Sequence, residues 1–290
     1  MRRAPAAVPP PPISTDPLSS SDGVPDDGRK PRSAGPDVTS IGRRAARADP
    51  VAVAAGRSES EHSPAVPERK PPDMLLHDER VQLVEYCRRM QADELTVGTS
   101  GNLSVRSGNH IAITPSGVPY AELTPESICV LDLAGNRVED GLEPSTEVPM
   151  HTQVYAQTDA VAVVHTHPLY ACTLSALIDE LPPVHYMIAL LGGPVRVAPY
   201  ATFGSPELAR NSVRAMAGRF GVILQNHGAT TYGDSLAKAY TRSVYLEWVC
   251  RMYYQARLLG EPNLLPAEEI ERVAAKLDSY GQSAAARRRG

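Results

Sequence analysis

The sequence predicts an α+β domain in which helices cover a central, mostly antiparallel β-sheet. The first observation is a series of short apolar segments between residues 98 and 133, separated by glycine-containing turns, which is typical of an antiparallel meander. The second is a pair of apolar strands, 160–167 and 221–225, that alternate with segments of helical periodicity. The third is that two helical segments, 235–259 and 266–277, end the folded part.

Residues 1–73 differ in composition from the rest of the chain. They contain 14 of the 27 prolines and no Phe, Tyr or Trp. Such a segment cannot bury enough apolar surface to offset the entropy that ordering it would cost. We therefore expect a disordered, proline-rich tail over 1–73. The remaining residues, 74–290, are enough for one well-buried core.

The first half of this domain begins with a helix, because apolar residues recur at helical spacing over 75–91. A glycine-rich turn then leads into a strand that ends near residue 106, and further strands are predicted at 110–114 and 128–133. The next helix begins at Pro-Ser-Thr-Glu, 144–147, where Ser145 or Thr146 is the expected cap.

The second half alternates buried strands with helices. Residues 160–167, Ala-Val-Ala-Val-Val-His-Thr-His, predict a strand that Pro168 ends, and the same proline opens a helix that runs to residue 177. A helix over 206–216 precedes the strand at 221–225, which Asn-His-Gly closes. The helices at 235–259 and 266–277 complete the fold.

Composition excludes several classes of partner. The net charge of -4 at pH 7 argues against nucleic acid. There is no apolar run of about 18 residues that would cross a membrane, and the basic start lacks the apolar region of a signal peptide. The four cysteines are scattered and form no CxxC pair, which fits free thiols in a reducing cytoplasm. We expect a cytoplasmic protein.

Two histidines at the end of the 160–167 strand form a candidate metal site. His165 and His167 are two residues apart, so both imidazoles point to the same face of the strand. His227, at the end of another buried strand, can bring a third nitrogen, and three His ligands with an open position are typical of catalytic zinc. The alternative is that one or two of them are ordinary core histidines, but the His-x-His spacing favours the metal.

Glu147 follows the predicted cap of a helix. Taken alone, it is best explained as a carboxylate that the helix dipole stabilises. His151, four residues later, is either a fourth ligand or a partner on the helix face, and we expect the structural role. Three small turns also carry hydroxyl, amide and backbone N–H donors that suit a phosphate if they converge. They are Gly101-Asn102, Ser116-Gly117 and Ser145-Thr146.

Seven motifs occur in a fixed order and span most of 74–290. They are Gly-Thr-Ser-Gly-Asn-Leu-Ser-Val-Arg at 98–106, Ile-Thr-Pro-Ser-Gly-Val-Pro-Tyr at 113–120, Pro-Ser-Thr-Glu at 144–147, Val-His-Thr-His at 164–167, His-Tyr-Met-Ile-Ala at 185–189, Ala-Pro-Tyr-Ala-Thr-Phe-Gly at 198–204 and Leu-Gln-Asn-His-Gly at 224–228. In this order they resemble the class II aldolase/adducin family, and within it the L-fuculose-1-phosphate aldolase branch.

The resemblance implies an α/β/α-layered catalytic domain over 74–290. It implies reversible cleavage of a ketose 1-phosphate, such as L-fuculose 1-phosphate, to dihydroxyacetone phosphate and a lactaldehyde-like aldehyde. Zinc, or another divalent metal, would be held by His165, His167 and His227, with Glu147 close to it, and would stabilise the enediolate as a Lewis acid. Glu147 would exchange the proton with the substrate carbon.

The resemblance also assigns the remaining site residues. Tyr186 from a neighbouring subunit would lie at the aldehyde oxygen, Tyr280 would close over the site, and Phe203 would line the apolar side of the aldehyde. A site shared between subunits implies a homo-oligomer, and the family usually forms a homotetramer. The phosphate of the sugar substrate would lie among Gly101, Asn102, Ser116, Gly117, Ser145 and Thr146.

Four alternative functions use the same scaffold. Three are enzymes: a methylthioribulose-1-phosphate dehydratase, a 5-deoxypentulose-phosphate aldolase and a pentulose-phosphate 4-epimerase, the last of which favours Asp where this chain has Glu147. The fourth is a non-catalytic, adducin-like interaction domain. Such domains lose the metal ligands, and all three histidines are present here.

Overall fold

A computed structural model describes residues 74–278. Six α-helices lie in this part of the chain: α1 His77–Ala92, α2 Val148–Gln157, α3 Leu169–Ser175, α4 Pro206–Met216, α5 Leu236–Leu259 and α6 Ala267–Asp278. Eight strands accompany them: β1 Asn102–Ser107, β2 His110–Ile113, β3 Cys129–Asp132, β4 Ala162–Thr166, β5 Glu180–Leu181, β6 Val195–Ala198, β7 Gly221–Leu224 and β8 Gly228–Gly233. Short 3-10 helices lie at Tyr120–Glu122, Pro125–Ser127 and Tyr186–Leu191.

The strands form one sheet in the order β3-β2-β1-β4-β8-β7-β6-β5. Every neighbouring pair is antiparallel except β6 and β7, so the prediction of a mostly antiparallel sheet is confirmed. The register places Asn102 of β1 opposite His165 of β4, and His165 opposite Thr230 of β8. Three strands that are distant in sequence therefore bring their ends to the same edge of the sheet.

Helices cover both faces of the sheet, which gives three α/β/α layers. One face packs against α2 and α4, through side chains such as Val163, Met150 and Leu208. The neighbouring strand residues Ala162 and Val164 face the opposite side, as strand alternation requires. That side is covered by α1, α3, α5 and α6.

Most of the predicted elements are confirmed, with ends shifted by at most four residues. The sequence prediction missed β5, β6 and β8. β8 reads Gly-Ala-Thr-Thr-Tyr-Gly and lacks the apolar residues that mark a buried strand, although it lies between β4 and β7 and is buried throughout. Most of its side chains are small, and they fit because the packed layers on both sides of the sheet cover both faces of this strand.

The start of α2 differs from the prediction. The residue at the N-cap is Glu147, not Ser145 or Thr146. Ser145 contributes differently, since its hydroxyl accepts a hydrogen bond from the Glu147 backbone N–H at 3.2 Å. The first turn of α2 therefore presents the Glu147 side chain at the sheet edge.

Two predictions lie outside the described residues: the tail over 1–73 and Tyr280. Between residues 74 and 278, no helix is long and apolar enough to cross a membrane.

Candidate metal centre and active site

Four donor side chains converge where β4, the β7–β8 turn and the start of α2 meet. His165, His167, His227 and Glu147 each offer one ligand atom, and these atoms all lie within 4.8 Å of one another. The three imidazole rings are mutually edge-on, with centroids 4.8 to 5.0 Å apart. The structure thus brings together the three predicted histidines and the predicted carboxylate.

His165 is the fully buried member of this group. Its Nδ1 lies 3.0 Å from the carbonyl oxygen of Ala229, which can only accept, so Nδ1 carries the hydrogen. The Nε2 atom of the same ring lies 2.9 Å from Nε2 of His167 and 2.9 Å from Oε2 of Glu147. Donor atoms that converge this closely suit a single cation, which binds them in their deprotonated forms.

His227 is placed by a tight turn between β7 and β8. Its backbone N–H donates to the Leu224 carbonyl at 3.1 Å, and Asn226 has a positive φ of 52°. At Gly228, a Cβ would collide with the carbonyl oxygen of Thr166 and would lie 3.2 Å from the His167 ring. A glycine is therefore required for β8 to pass this close to the histidines.

The two carboxylate oxygens of Glu147 have different surroundings. Oε2 accepts a hydrogen bond from the Asn102 side-chain amide at 2.9 Å, in addition to its contact with His165. Oε1 is buried and has no hydrogen bond, and Nε2 of His227 lies 3.5 Å from it. A buried oxygen of this kind is a candidate for ligation or for proton exchange with a ligand.

The protonation states suit a cation site. Burial, followed by the nearby His165 ring, lowers the pKa of His167 to about 3 and that of His227 to about 4. Burial by itself raises the pKa of Glu147, but the His165 ring and the Asn102 amide outweigh burial and hold that pKa well below the ordinary value. At neutral pH His167 and His227 are therefore neutral and Glu147 is ionised, which are the donor states that a divalent transition metal requires.

A cavity of about 170 Å³ is lined by three of these donors, Glu147, His167 and His227. Phe203, whose side chain is exposed, also lines it. The cavity is also lined by all six residues for which phosphate contact is predicted: Gly101, Asn102, Ser116, Gly117, Ser145 and Thr146.

Tyr120 supports the loop beside this cavity and was not singled out in the sequence. Its hydroxyl lies 2.7 Å from the Ser100 carbonyl and 2.9 Å from the Gly101 carbonyl, both of which can accept its hydrogen. Gly101 itself has φ 82°, and a Cβ there would lie 2.8 Å from the His165 carbonyl oxygen. The Tyr120 hydroxyl thus holds these two carbonyl groups on the side of the loop that faces the core. The opposite side of the loop faces the cavity.

Tyr186 lies elsewhere. It is 47% exposed and lines a different cavity of about 1020 Å³, together with aromatic residues of α5 such as Trp248 and with residues of α6. Within one chain, the structure therefore does not bring Tyr186 to the metal ligands. The resemblance assigns Tyr186 to a neighbouring subunit, and that assignment stays a prediction.

His151 lies outside the four-donor group, as the sequence analysis expects. It is fully buried, and its two ring nitrogens contact Asn102 and Ser104. Asn102, predicted as a phosphate contact, uses its amide to join Glu147 to His151, and it also lines the cavity. The sequence carries no local signal for these contacts, because the partners are more than 40 residues apart.

The sequence of this chain matches a family of known proteins. The family described as "Class II Aldolase and Adducin N-terminal domain" matches residues 81–254. A 5-deoxy-D-ribulose 1-phosphate aldolase of Bacillus thuringiensis serovar kurstaki is 42% identical over 212 residues, which cover 72% of this chain and 100% of that protein. A 5-methylthioribulose-1-phosphate/5-deoxyribulose-1-phosphate aldolase of Rhodospirillum rubrum is 39% identical and covers 70% of this chain and 92% of its own length.

A solved structure shares the fold as well. An L-fuculose 1-phosphate aldolase superposes with a TM-score of 0.69 at 41% identity, over 71% of this chain and 98% of that chain. The predicted family and fold class are confirmed. By its sequence, its layered fold and its relatives, the chain belongs to the class II aldolase and adducin family.

Proposed function

We propose that this protein is a metal-dependent aldolase that cleaves a ketose 1-phosphate into dihydroxyacetone phosphate and a small aldehyde. The observation that carries the proposal is the juxtaposition of two features. Three imidazoles and Glu147 offer ligand atoms within 4.8 Å of one another, and the six small polar residues line the cavity above them. One feature suits a cation and the other suits a phosphate, and such a substrate needs both.

His165, His167 and His227 would hold the metal, for which zinc is the first candidate because it favours nitrogen ligands. When bound, a divalent metal supplies Lewis-acid stabilisation of the negative charge that builds up on substrate oxygens as the carbon–carbon bond breaks. The chain moves the protons. In cleavage, the hydroxyl of the departing aldehyde carbon would lose its proton to a base, the role that the resemblance gives to Tyr186 of a neighbouring subunit. Glu147, having taken up a proton once substrate is bound, would pass it from Oε1 to the carbon left by the broken bond, and condensation would reverse both transfers.

The phosphate would be held by the turns that line the cavity. The hydroxyls of Ser116 and Thr146 and the backbone at Gly117 are at its surface, where a ligand can reach them. Fixing the phosphate end orients the substrate, so that its reacting carbon lies over Glu147. Orientation of this kind is one of the larger contributions that an enzyme makes to rate.

We infer that the substrate is a ketose 1-phosphate that ends in a methyl group. Two relatives are named for 5-deoxyribulose 1-phosphate, and the solved structure is named for L-fuculose 1-phosphate. Cleavage of these two sugars releases acetaldehyde and lactaldehyde, which both end in a methyl group. The exposed Phe203 ring at the cavity wall offers an apolar surface for that end. Among the candidate substrates we rank the 5-deoxypentulose phosphate first, because two relatives are named for it.

Three further features complete the proposal and rest on the resemblance to the family. The active enzyme is a homotetramer, Tyr186 of one subunit serves the site of the next, and Tyr280 closes over the substrate. A cytoplasmic location is also part of the proposal, and it rests on the scattered cysteines.

The deciding experiment uses the full chain with 5-deoxy-D-ribulose 1-phosphate and with L-fuculose 1-phosphate. Release of dihydroxyacetone phosphate is followed with a coupled reductase. We expect release from both sugars, with a higher kcat/KM for the former. A chelator should abolish release, and added Zn²⁺ should restore it. The unphosphorylated sugars are the control, and they should react far more slowly.

The products separate this proposal from its alternatives. A dehydratase would release water and no aldehyde, and a 4-epimerase would invert one carbon and release no fragment. If metal-replete protein forms neither fragment from either sugar, the aldolase assignment fails. Lack of any metal uptake together with lack of activity would point to the adducin-like interaction domain.

A further inference from the structure

A chain of buried hydrogen bonds runs from Glu147 into the core beneath the site. Glu147 Oε2 lies 2.9 Å from Nδ2 of Asn102, and Oδ1 of Asn102 lies 2.6 Å from Nε2 of His151. The other ring nitrogen of His151 lies 2.6 Å from the Ser104 hydroxyl, which is 2.7 Å from the hydroxyl of Tyr155. The chain therefore links β1 and α2 through five side chains.

All five side chains are buried. His151 and Ser104 are 0% exposed, and Asn102, Tyr155 and Glu147 are 5 to 6% exposed. Solvent therefore cannot replace a missing partner at any link. Each donor must meet an acceptor within this chain of hydrogen bonds, because an unpaired polar group in such surroundings costs free energy.

Only one arrangement of hydrogens satisfies every link. A carboxylate accepts only, so Asn102 must turn its NH₂ group towards Glu147 and its oxygen towards His151. That oxygen requires a hydrogen on Nε2 of His151. The buried ring has no carboxylate contact and is neutral, so Nδ1 accepts from Ser104, and Ser104 accepts from Tyr155. Every donor in the chain points towards Glu147.

This polarity distinguishes the two oxygens of Glu147. Oε2 receives the end of the chain and is anchored, whereas Oε1 has no hydrogen bond. A flip of the Asn102 amide would place its oxygen against Oε2 of Glu147. The flip would also turn the Asn102 NH₂ group towards the Nε2–H group of His151, and because both groups are donors, His151 prevents it. The orientation of the carboxylate thus depends on a ring that does not touch the cavity.

We propose that His151 is a positioning residue: acting through Asn102, and held by Ser104 and Tyr155, it anchors Glu147 Oε2 so that Oε1 is the oxygen that exchanges the proton. This inference rests on the proposed acid/base role of Glu147. It gives a function to a histidine that helix packing alone does not require.

The test compares two amides at position 151. His151→Gln places an N–H donor near the position of Nε2, whereas His151→Asn reaches only the position of Nδ1 and leaves Asn102 without its donor. We expect His151→Asn to lower kcat by about 10- to 100-fold, as loss of such supporting contacts does in metal sites. His151→Gln should retain a larger share of kcat. KM and the metal content should change little in both variants, because the phosphate turns and the three ligands are untouched.

Two further variants separate positioning from stability. Tyr155→Phe keeps the ring and removes the first donor of the chain, so kcat should fall at unchanged KM even if His151→Asn does not fold. Ser243→Ala is the matched control, since it breaks a buried 2.6 Å hydroxyl pair with Thr231 that does not lead to the site. It should lower thermal stability and leave kcat unchanged. Wild-type kcat in folded His151→Asn or in Tyr155→Phe would overturn the proposal.

A readout without substrate distinguishes this proposal from the proposed function. Nitrogen-15 NMR of the wild-type protein should show His151 as the neutral tautomer with its hydrogen on Nε2, assigned by the signal lost in His151→Gln. If no ketose phosphate is cleaved but this tautomer is found, the proposed reaction is wrong and the anchored carboxylate stands. A hydrogen on Nδ1 at neutral pH would overturn the chain of donors, whatever the activity.

Discussion

At the scale of single residues, the site depends on close approaches that only small residues permit. Gly228 passes beside the Thr166 carbonyl and the His167 ring, and Gly101 lies against the His165 carbonyl. Gly204 is similar, since a Cβ there would lie 2.8 Å from the Thr146 carbonyl oxygen. Because these glycines bring separate loops into contact, three of the four donor side chains and the three small polar turns line one small cavity.

Replacement of Glu147 by glutamine tests the acid/base role at this scale. Glu147→Gln keeps the shape of the side chain but cannot carry the proton, so we expect kcat to fall by about 10²- to 10⁴-fold. Three histidines remain, so the metal-to-protein ratio measured by elemental analysis should stay close to that of the wild type.

Glu143→Gln is the matched control for this variant. Glu143 is four residues earlier, and its exposed carboxylate pairs with Arg137 at 2.7 Å rather than with the site. It should keep wild-type kcat. Equal turnover in Glu147→Gln and Glu143→Gln would remove Glu147 from the proton-transfer step.

At the scale of elements, helix α3 is capped by a side chain of another helix, α5. It begins directly after His167 and Pro168, and it has no side-chain cap of its own. The Glu247 carboxylate on α5 supplies the cap, accepting from the backbone N–H groups of Tyr170 at 2.8 Å and Ala171 at 2.9 Å. Burial raises the pKa of Glu247, but these two hydrogen bonds oppose that shift. The cap thereby fixes the chain directly after His165 and His167, two of the candidate metal ligands.

Loss of this cap should weaken both the fold and the metal site. In Glu247→Gln, the amide NH₂ group opposes one of the two backbone N–H groups, and we expect a loss of about 1–2 kcal/mol in the free energy of unfolding. Urea denaturation measures that loss, and competition with a chelating dye measures metal affinity, which should also fall.

The control at this scale is Glu85→Gln. Glu85 is exposed in the middle of α1, so the same chemical change should leave the free energy of unfolding within about 0.5 kcal/mol of the wild type. If Glu247→Gln is as stable as Glu85→Gln, the cap contributes nothing and α3 is held by packing alone.

At the scale of the whole molecule, the side chains with proposed catalytic roles lie in two places on one chain. The four donors meet at one edge of the sheet. Tyr186 lies instead with Trp248 at a cavity between the 3-10 helix Tyr186–Leu191, α5 and α6. Tyr186 and Trp248 are both exposed there, at 47% and 41%. The proposed homotetramer accounts for this separation, because one subunit then completes the site of another.

Subunit mixing tests the shared site. Glu147→Gln and Tyr186→Phe, each of low activity alone, should regain activity when they are co-expressed, because some sites then combine wild-type Glu147 with wild-type Tyr186. Light scattering should give a mass four times that of one chain. Co-expression of Glu147→Gln with His167→Ala is the control, since both changes affect the same donor cluster and cannot complement. Failure of the first pair to exceed its parents would place Tyr186 outside the reaction.

Much of the fold could be predicted because its signals are local. The helical spacing over 75–91 and the apolar run that ends in His165 and His167 are visible in any short window of the sequence. The pairing of the two imidazoles on one face follows from strand alternation alone, and the structure places their Nε2 atoms 2.9 Å apart. β8 was missed because a strand buried between two neighbours can be built from small and hydroxyl side chains, which carry no apolar period.

The chemistry of the site was decided by tertiary structure. Sequence spacing alone could not show that Glu147 and His227 lie beside His165, or that His151 supports Asn102, because these pairs are between 18 and 80 residues apart. Their meeting depends on the order β1-β4-β8 in the sheet and on a turn that only Gly228 allows. Local patterns indicate most of the residues that form strands and helices. Which strand ends share an edge is set by packing across the whole domain, and that packing turns four separate side chains into one site.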